Sequence, residues 1–588
     1  MVPGMDVAQI NANTWAVSAR GLNGEFSNEL LVLVDGRTVY TPTFGGVYWD
    51  VLDMPLEDIE RIEVIRGAGG TIWGANAVNG VVNIITKKAA DTRGGLIVAG
   101  GGNFDQGFGT AQYGSTLGHD TDYRVYAKYF NQVQLPGLGG QNGGDGWHLL
   151  SGGFRLDSAL SPSDTLSIQG NLYRGDERTP TQILTSLTSS ILQNVDPTAN
   201  LSGDVLQLDW NHVFSARSQT NLQVSYDDYK RDSIVAETRH TLNLDFQHHF
   251  EWGRRQSIVW GLDYRYSSTR TTANLSMSFI PADLNTQIVS SFIQDEIALS
   301  PDRLYLTVGT KLEHDYYTGF VLLPSARLTW QPTDNQMFWT AVSRAARTPS
   351  REDTDIRINF GGFPGANGVP DVLGLVGNPH FKNEDLTAYE VGSRTTLLKR
   401  LSVDFAAFYG DYTHQGTFEP APPVFETTPA PPHLFIPSTF ENLMHGESHG
   451  LEVAANWKVS DRWTLSPGYA FEQIHMHLDP SSQDTQSVSA AEGSSPVNSV
   501  QLRSHFIFFH NLAWDSSAYF VGRLNDPRIP SYTRVDTGLT WHYRERLSIS
   551  LFGQNLASDH RLEFIDTTGS NRSTLVKRSG YAKVTWRF

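Results

Sequence analysis

Residues 581–588 read YAKVTWRF, and apolar and polar side chains alternate along this closing stretch of the chain. Ala582, Val584, Trp586 and Phe588 fall on one face of an extended strand, and the polar side chains fall on the other. The same period of two recurs at residues 206–214, 401–407 and 547–551. Segments of about ten residues with this pattern are typical of a transmembrane β-barrel, but a soluble β-sandwich also alternates. The connections between the strands have to decide between the two.

Short polar turns, rich in Pro, Asp and Arg, recur along the chain. Ten are recognised, near residues 118–122, 161–164, 215–218, 252–255, 300–303, 331–335, 398–400, 459–462, 511–515 and 543–546. Long connections lie between them, such as 344–385 and the Pro-rich Thr417–Phe440. Short turns at one rim and long loops at the other are typical of outer-membrane barrels. With both barrel ends on the short-turn side, ten turns predict 22 antiparallel strands and a lumen wide enough to need a plug.

The composition of the 588 residues excludes several classes of protein. With 14 Trp, 22 Tyr and 30 Phe and only 18% charged residues, the chain is too aromatic and too weakly charged to be disordered. It has no cysteine, which excludes disulfides, thiolate zinc sites and cysteine nucleophiles. Its net charge of −17 argues against a nucleic-acid-binding surface. No apolar run approaches the ~18 residues of a membrane-spanning helix, so a membrane form must be a β-barrel.

The first ninety residues differ from the rest and predict a small α/β unit. Its strands are expected at Leu30–Val34, Ile62–Ile65 and Val81–Ile85. A helical turn is expected at Pro55–Glu60, with Asp53 as a candidate N-cap. The glycine-rich stretch Gly67–Gly74 follows a strand, as in dinucleotide-binding proteins. Its spacing is not GxGxxG and no βαβ unit follows, so a tight packed turn is the better interpretation.

Several motifs of the chain, in order, resemble those of TonB-dependent outer-membrane receptors. The plug motifs are ARG at 19–21, VDGR at 34–37, IERIEVIRG at 59–67 and GANAVNGVVNIITK at 74–87. The barrel motifs are RTPS at 347–350, NP at 378–379, YEVG at 389–392, GLE at 450–452, YTRVD at 532–536 and QNL at 554–556. The terminal Phe588 resembles the signal read by the barrel assembly machinery. The resemblance implies an all-β membrane protein, with a plug domain (residues 1–93) inside a 22-stranded barrel (residues 94–588).

Two features depart from this family. Ala68 stands where the family usually has proline. Residues 2–7 resemble a point already inside the plug, and residues 1–4 have no basic or apolar region of a secretory signal. We therefore expect the signal peptide, the TonB-binding box and the first plug strand to be missing from the chain as written. An incomplete gene model or a trimmed chain is the favoured interpretation, and a degenerate member that does not transport is the alternative.

The resemblance implies uptake of a scarce ligand across the bacterial outer membrane, most often a ferric siderophore. Vitamin B12 and glycans are alternatives, and no enzyme activity, metal site or cofactor is expected. The implied partners are the TonB–ExbB–ExbD complex, if the missing N-terminus exists, together with outer-membrane lipid and the barrel assembly machinery. A different class, a secreted β-sandwich that binds or cleaves glycans with acidic pairs, would lack the alternating turn lengths.

Haem is a further ligand of this family, but the sequence does not support it here. Haem receptors often place a histidine between an Arg-Ala-Pro and an Asn-Pro-Asn-Leu element. The corresponding stretches, RTP at 347–349 and NPHF at 378–381, are degenerate, and residues 350–377 contain no histidine. His248 and His249 are interpreted as lumen, rim or turn residues.

The family's apical plug loop corresponds to Thr41–Trp49. The candidate ligand-binding residues there and nearby are Arg37, Tyr40, Phe44, Tyr48 and Trp49. Arginine and aromatic rings suit a planar, anionic iron chelate through stacking, cation–π and charge-assisted contacts. Tyr48 and Trp49 could instead only pack the plug, and Thr417–Phe440 could be either a ligand-capture loop or merely an exposed one.

Four further residues correspond to a plug–barrel docking cluster of the family. Arg20 and Arg66 each precede a glycine in the plug, and Glu390 and Glu452 lie in barrel motifs. The arginine fork suits bidentate binding of carboxylates. We expect each arginine to approach one of the glutamates to within about 4 Å. In the alternative, each glutamate pairs with a lysine or arginine of a neighbouring strand.

Overall fold

The structure is a computed structural model that describes residues 2–365, 368–566 and 571–588. In this part of the chain 22 long antiparallel strands close into one barrel, as predicted, and the first strand pairs with the last. The barrel strands are Gly94–Gly102, Asp105–Leu117, Thr121–Gln132, Trp147–Ala159, Asp164–Arg178, Thr198–Ser215, Ser218–Asp232, Glu237–Trp252, Gln256–Thr271, Asp283–Ser300, Leu304–Asp315, Gly319–Thr333, Gln336–Arg347, Glu384–Leu397, Leu401–Pro420, His433–Ser460, Trp463–Leu478, Asn498–Phe509, Leu512–Val521, Tyr532–Tyr543, Leu547–Gln554 and Ser579–Arg587.

The two faces of the barrel wall follow the predicted alternation. Leu206 is 52% exposed on the outside, whereas the adjacent Gln207 is 2% exposed on the inside. Trp586 and Thr585 show the same contrast at the end of the chain. Apolar side chains therefore point outward and polar ones into the lumen, as a membrane-spanning barrel requires.

The strands are joined by short turns at one rim, which we call the short-turn rim. Nine of the ten predicted turns lie where they were expected, and the tenth lies at 510–511 rather than 511–515 because Leu512 already begins a strand. The opposite rim, the loop rim, is only partly as predicted. Three of its connections, 103–104, 233–236 and 316–318, are also short.

The loop predicted over Thr417–Phe440 was wrong, because most of it is strand. Leu401–Pro420 and His433–Ser460 continue beyond the rest of the wall and pair with each other, which leaves only 421–432 as the connection. Burial still alternates there, since Thr417 and Glu419 are buried and Phe418 is exposed. The prolines mark the tip of a long hairpin rather than a long irregular loop.

The remaining short helices and strands lie at the loop rim. They include the helices Arg351–Asp355 and Ser487–Gly493 and the strands Thr181–Ile183, Gln193–Val195, Met277–Phe279, Ile356–Pro364, Pro370–Val376, Val424–Glu426, His560–Arg561 and Val576–Lys577. No helix among the described residues is both long and apolar enough to cross a membrane.

The plug contains a four-stranded sheet in the order Arg37–Thr38, Leu30–Val34, Gly80–Thr86 and Ile59–Arg66. Its two central strands run parallel. All three predicted plug strands lie within this sheet. The hairpin Met5–Gln9 and Trp15–Ala19 was not predicted, and its side chains Val17 and Ala19 pack on the sheet residues Leu30, Val32 and Val82.

Two predicted details of the plug differ from the structure. The expected helical turn is a short 3₁₀ helix over Leu56–Asp58, and Asp53 does not cap it. Pro55 occupies the N-cap position, and Asp53 instead forms a salt bridge with Lys128 of the barrel. The glycine-rich turn contains the four-residue helix Gly70–Trp73, and a 3₁₀ helix over Ala89–Thr92 leads into the first barrel strand.

Candidate functional site

The four predicted docking residues form one cluster between the plug and the barrel, in which three are buried and Arg66 is partly exposed. Arg20 Nη1 lies 2.6 Å from Glu390 Oε1, and Arg20 Nε donates to Glu452 Oε1 at 3.1 Å. Arg66 Nη1 lies 2.9 Å from Glu452 Oε2. Arg20, Glu390 and Glu452 are each at most 5% exposed. The two arginines and the two glutamates thus lie within the distance expected from the sequence.

The local backbone explains why a glycine follows each docking arginine. Gly21, after Arg20, has φ +95°, and Gly67, after Arg66, has φ +86°, both in the left-handed region that favours glycine. A Cβ atom on Gly67 would lie 2.6 Å from Arg20 Nη1 and would also overlap the Glu390 carboxylate. Glycine is therefore the residue that lets the plug backbone approach the carboxylates closely.

The electrostatics of the cluster favour a charged Arg20. Burial alone would lower the pKa of its guanidinium, but Glu452 and Glu390 more than offset this and raise the pKa above its usual range. The Phe408 ring, 4.1 Å from Arg20 Cζ, adds a cation–π contact.

A second set of plug–barrel ion pairs was not expected from the sequence. Here the polarity is reversed, since acidic plug residues meet basic barrel residues: Asp50 with Arg231, Asp53 with Lys128, Glu57 with Lys583 and Asp58 with Arg124. The signal was visible as four acidic residues within positions 50–58. Nothing in the sequence alone indicated which barrel residues they would meet.

The apical aromatic residues lie between the plug and the barrel wall. Phe44 is buried and contacts the Tyr48 ring edge-on at 5.0 Å. Tyr48 stacks on Tyr229 of the wall at 5.1 Å and donates a hydrogen bond to Glu237 Oε2 at 2.8 Å. Burial, followed by the Glu237 carboxylate, raises the pKa of the Tyr48 hydroxyl well above its usual value, so the group stays a donor. Trp49 packs against the plug core.

Three of the five candidate ligand residues line one cavity. Arg37, Tyr40 and Tyr48 border a space of about 120 Å³ between the plug and the barrel wall, whereas Phe44 and Trp49 do not. Arg37 Nη1 donates to Asp227 Oδ2 at 3.1 Å. The cavity therefore presents a cation and aromatic hydroxyls next to the apical loop.

A short helix at the loop rim covers the apical loop. Arg351 and Glu352, at the start of helix Arg351–Asp355, donate backbone hydrogen bonds to the carbonyls of Pro42 and Thr43 at 3.0 and 2.8 Å. The Arg351 side chain is fully buried. Arg347 forms a salt bridge with Asp353 of this helix, with 2.8 Å between Arg347 Nη1 and Asp353 Oδ2. In this structure the helix Arg351–Asp355 therefore lies directly against the apical loop.

The histidines singled out in the sequence lie near the short-turn rim. His248 Nδ1 accepts a hydrogen bond from Trp260 Nε1 at 3.1 Å, and His249 Nε2 lies 2.8 Å from Ser257 Oγ. Within the described ranges, no three or more His, Asp or Glu side chains are arranged to hold a metal ion.

Comparison with known proteins places these features in context. Residues 87–556 match the sequence profile "TonB dependent receptor-like, beta-barrel", and residues 1–81 match "TonB-dependent Receptor Plug Domain". The iron-regulated outer membrane virulence protein of Vibrio cholerae is 25% identical over 94% of this chain and 84% of its own length. The vitamin B12 transporter BtuB of Vibrio vulnificus is 23% identical over 93% of this chain and 86% of its own length.

Solved structures share the fold over the whole chain. A mutant form of the ferric enterobactin receptor PfeA of Pseudomonas aeruginosa has a TM-score of 0.79 at 17% identity, with 100% of this chain and 94% of its own covered. The siderophore receptor PirA of Acinetobacter baumannii also has a TM-score of 0.79, at 16% identity, with 100% and 95% covered.

Proposed function

The chain belongs to the TonB-dependent receptor family of outer-membrane transporters, which are not enzymes, and we propose that its cargo is a ferric siderophore. The observation that carries the proposal is the group of Arg37, Tyr40 and Tyr48 around the cavity beside the apical loop. A guanidinium and tyrosine rings suit an anionic, aromatic iron chelate better than a neutral ligand. Phe44 and Trp49 would shape the loop from within the plug.

The relatives support the same cargo without deciding it. One is named for its regulation by iron, and enterobactin is bound in a solved complex of PfeA. Vitamin B12 is the second candidate, because two B12 transporters match 93% and 96% of the chain, about the same share as the 94% matched by the iron-regulated protein.

Energy for uptake would come from the TonB–ExbB–ExbD complex acting on the plug. We infer that the cluster of Arg20, Arg66, Glu390 and Glu452 holds the plug in register until it is pulled. Desolvation offsets much of the attraction in such a cluster, which suits a contact that must also release. A chain that had lost its TonB-binding segment would bind the ligand without transporting it.

Insertion into the membrane would depend on the barrel assembly machinery reading Phe588. This residue closes the barrel seam, since its backbone N–H and C=O both bond to Gly95. Its side chain remains more than half exposed on the outer wall, next to lipid.

The cargo is tested by growth of a deletion strain on defined nutrients. The strain, complemented with the gene including any coding sequence upstream of Met1, is grown on a panel of iron sources and, separately, on limiting vitamin B12. We expect rescue by one class of ferric siderophore, and only in cells that have TonB. Rescue by vitamin B12 alone would overturn the proposal.

Ligand binding is tested on the purified protein. Arg37→Gln should weaken binding of the rescuing siderophore by about tenfold, because a charge-assisted contact is lost. Arg61→Gln is the matched control, because Arg61 is an exposed plug arginine that lies outside the cavity. Equal affinities of the two variants would remove Arg37 from the site.

A further inference from the structure

The cavity beside the apex has a cluster of arginines at one end. Arg37 comes from the plug, and Arg239 and Arg265 come from the adjacent wall strands Glu237–Trp252 and Gln256–Thr271. Arg239 lies two residues from the loop-rim end of its strand, and Arg265 pairs with Asn243 farther down the wall. The arginine end therefore lies in the upper part of the cavity, below the covered apex.

Carboxylates only partly balance these three charges. Arg37 and Arg239 share Asp227, at 3.1 and 3.3 Å, which is the acidic residue lining this end of the cavity. Glu237 lies 3.8 Å from Arg239 Nη1, but its two oxygens accept hydrogen bonds from plug hydroxyl groups. Three guanidinium groups thus face two carboxylates, and one of these is already engaged.

Arg265 is the guanidinium without a salt bridge. It donates to Asn243 Oδ1 at 3.1 Å and to Thr38 Oγ1 at 3.0 Å, and no carboxylate of the described residues lies within 4.0 Å of its nitrogen atoms. Asp245 and Asp263 face each other on the same two strands, but they do not line the cavity. An excess of positive charge therefore remains at the arginine end, whereas the rest of the cavity lining carries Asp35, Asp53 and Asp58 with Arg124.

Arg239 also has hydrogen-bond donors that lack an acceptor. The residue is 7% exposed, yet its Nε and Nη1 have no hydrogen-bond partner in the described part of the chain. A buried, charged donor without an acceptor is costly, so the cavity must supply one. This observation is independent of the charge count, and it also indicates an acceptor in the cavity.

The size of the cavity limits what that acceptor can be. About 120 Å³ holds roughly four water molecules, and an apolar cavity of roughly 150 Å³ can take benzene. Pockets for whole drug-sized ligands are about 300–1,000 Å³. With the helix Arg351–Asp355 bonded over the apical loop, the space fits a single acidic group, such as one arm of an iron chelate, rather than the whole chelate.

We propose that the arginine end of this cavity is a binding site for one oxyanionic group, held by Arg239 and Arg265 with Arg37. Two sources share this chemistry: a free oxyanion such as phosphate, and an acidic arm of the imported ligand on its way between plug and wall. Only the second source rests on the proposed function.

The first experiment measures oxyanion binding to the purified full chain in detergent, without any siderophore. Crystals are soaked in tungstate, and thermal unfolding is followed in phosphate and in sodium chloride of equal ionic strength. We expect one anomalous peak within hydrogen-bonding distance of Arg239 and Arg265, and a larger rise in Tm with phosphate. No peak, together with equal shifts in the two salts, would overturn the site.

Variants show which residues bind the oxyanion, and a control variant tests whether a loss of binding comes from misfolding. Arg265→Gln should weaken phosphate binding by about tenfold or more, and Arg265→Lys should weaken it less because it keeps the charge. Arg327→Gln is the control, because Arg327 packs on Trp339 outside the cavity and should leave binding unchanged. A normal phosphate response in Arg265→Gln would contradict the assignment even if the peak is seen.

Uptake by cells then shows which of the two sources supplies the oxyanion. If the siderophore uses the site, Arg265→Gln should slow uptake while cells still bind the ligand at the surface. If a free oxyanion uses it, uptake is unchanged although phosphate binding to the purified variant is lost. Both results keep the oxyanion site, because oxyanion binding to the purified protein is measured without cargo. Only the uptake result depends on the proposed cargo.

Discussion

Arg20 is bonded to both buried glutamates of the plug–barrel cluster, so its replacement should affect plug docking strongly. Arg20→Met would leave Glu390 and Glu452 with only the single contact from Arg66. We expect the plug to lose about 3–5 kcal/mol of stability, the usual result of leaving a buried charge unpaired. Urea unfolding followed by tryptophan fluorescence measures the loss.

The control for this variant is Arg61→Met. Arg61 also bonds to two glutamates, Glu60 and Glu63, but all three side chains are exposed. Solvent screens such pairs, so the urea midpoint should stay at the wild-type value. Equal midpoints for Arg20→Met and Arg61→Met would show that the buried cluster does not hold the plug.

Asp6 should make the plug less stable as the pH rises. Burial raises the pKa of this plug carboxyl from 3.8 to about 7, and a hydrogen bond with Ser495 opposes the shift only in part. The protonated form is thus favoured on folding, and its contribution is full below pH 4 and lost as the pH passes 7. Asp6→Asn should exceed the wild type in stability by about 2–4 kcal/mol at pH 8.

The measurement is urea unfolding of both proteins at pH 4.5 and pH 8. Glu29, whose pKa burial also raises to about 7, is present in both, so only the difference between the proteins reports on Asp6. If the free energies of unfolding of the two proteins differ by the same amount at both pH values, Asp6 is not the source of the pH dependence.

Single residues were predictable where a local motif carried the information. Arg20 and Arg66 each precede a glycine that the backbone needs, so motif and geometry coincide. The partners of Tyr48 were not predictable, because Tyr229 and Glu237 lie more than 180 residues away and meet it only when the barrel closes. Tyr48 thus packs against the wall, which leaves its direct contact with a ligand as a proposal.

At the scale of elements, the helix Arg351–Asp355 acts as a cover on the apical loop. A cysteine pair, Thr43→Cys with Glu352→Cys, would lock it in place, because these two residues are joined by a backbone hydrogen bond of 2.8 Å. The chain has no other cysteine, so mispairing is excluded. We expect the oxidised pair to block siderophore binding to whole cells and a reductant to restore it.

Each single cysteine variant is the control and should bind the ligand under both conditions. Full binding by the oxidised pair, with the disulfide verified by mass spectrometry, would show that ligand reaches its site without displacing this helix.

A strand or helix was predictable where one regular alternation of apolar and polar residues continued along its whole length. The barrel strands keep a period of two because lipid and lumen differ sharply in polarity. The long hairpin beyond Thr417 keeps it as well, but its prolines suggested a loop. The plug hairpin Met5–Gln9 and Trp15–Ala19 was missed, because both faces of Trp15–Ala19 are buried and the strand therefore shows no alternation.

For the molecule as a whole, the strand number followed from the turns because each short turn marks one hairpin, whatever its sequence. What the sequence could not reveal is how the plug fills the barrel. Its ion pairs are of both polarities: plug arginines pair with barrel glutamates in the docking cluster, and plug carboxylates pair with barrel Lys and Arg elsewhere. Such pairing depends on positions hundreds of residues apart.

Removing residues 1–93 should convert the protein into an open pore. The remaining strands close by themselves, because the first barrel strand, Gly94–Gly102, pairs with the last, Ser579–Arg587. A lumen of 22 strands is wide, and its wall is polar, so water and ions would fill it once the plug is gone. In planar bilayers we expect the truncated protein to conduct in large, stable steps, and the full chain to conduct little. Circular dichroism and resistance of the unboiled barrel to SDS establish that the truncated chain has folded. A folded, truncated barrel that conducts no better than the full chain would show that the loop-rim connections, and not the plug, seal the lumen.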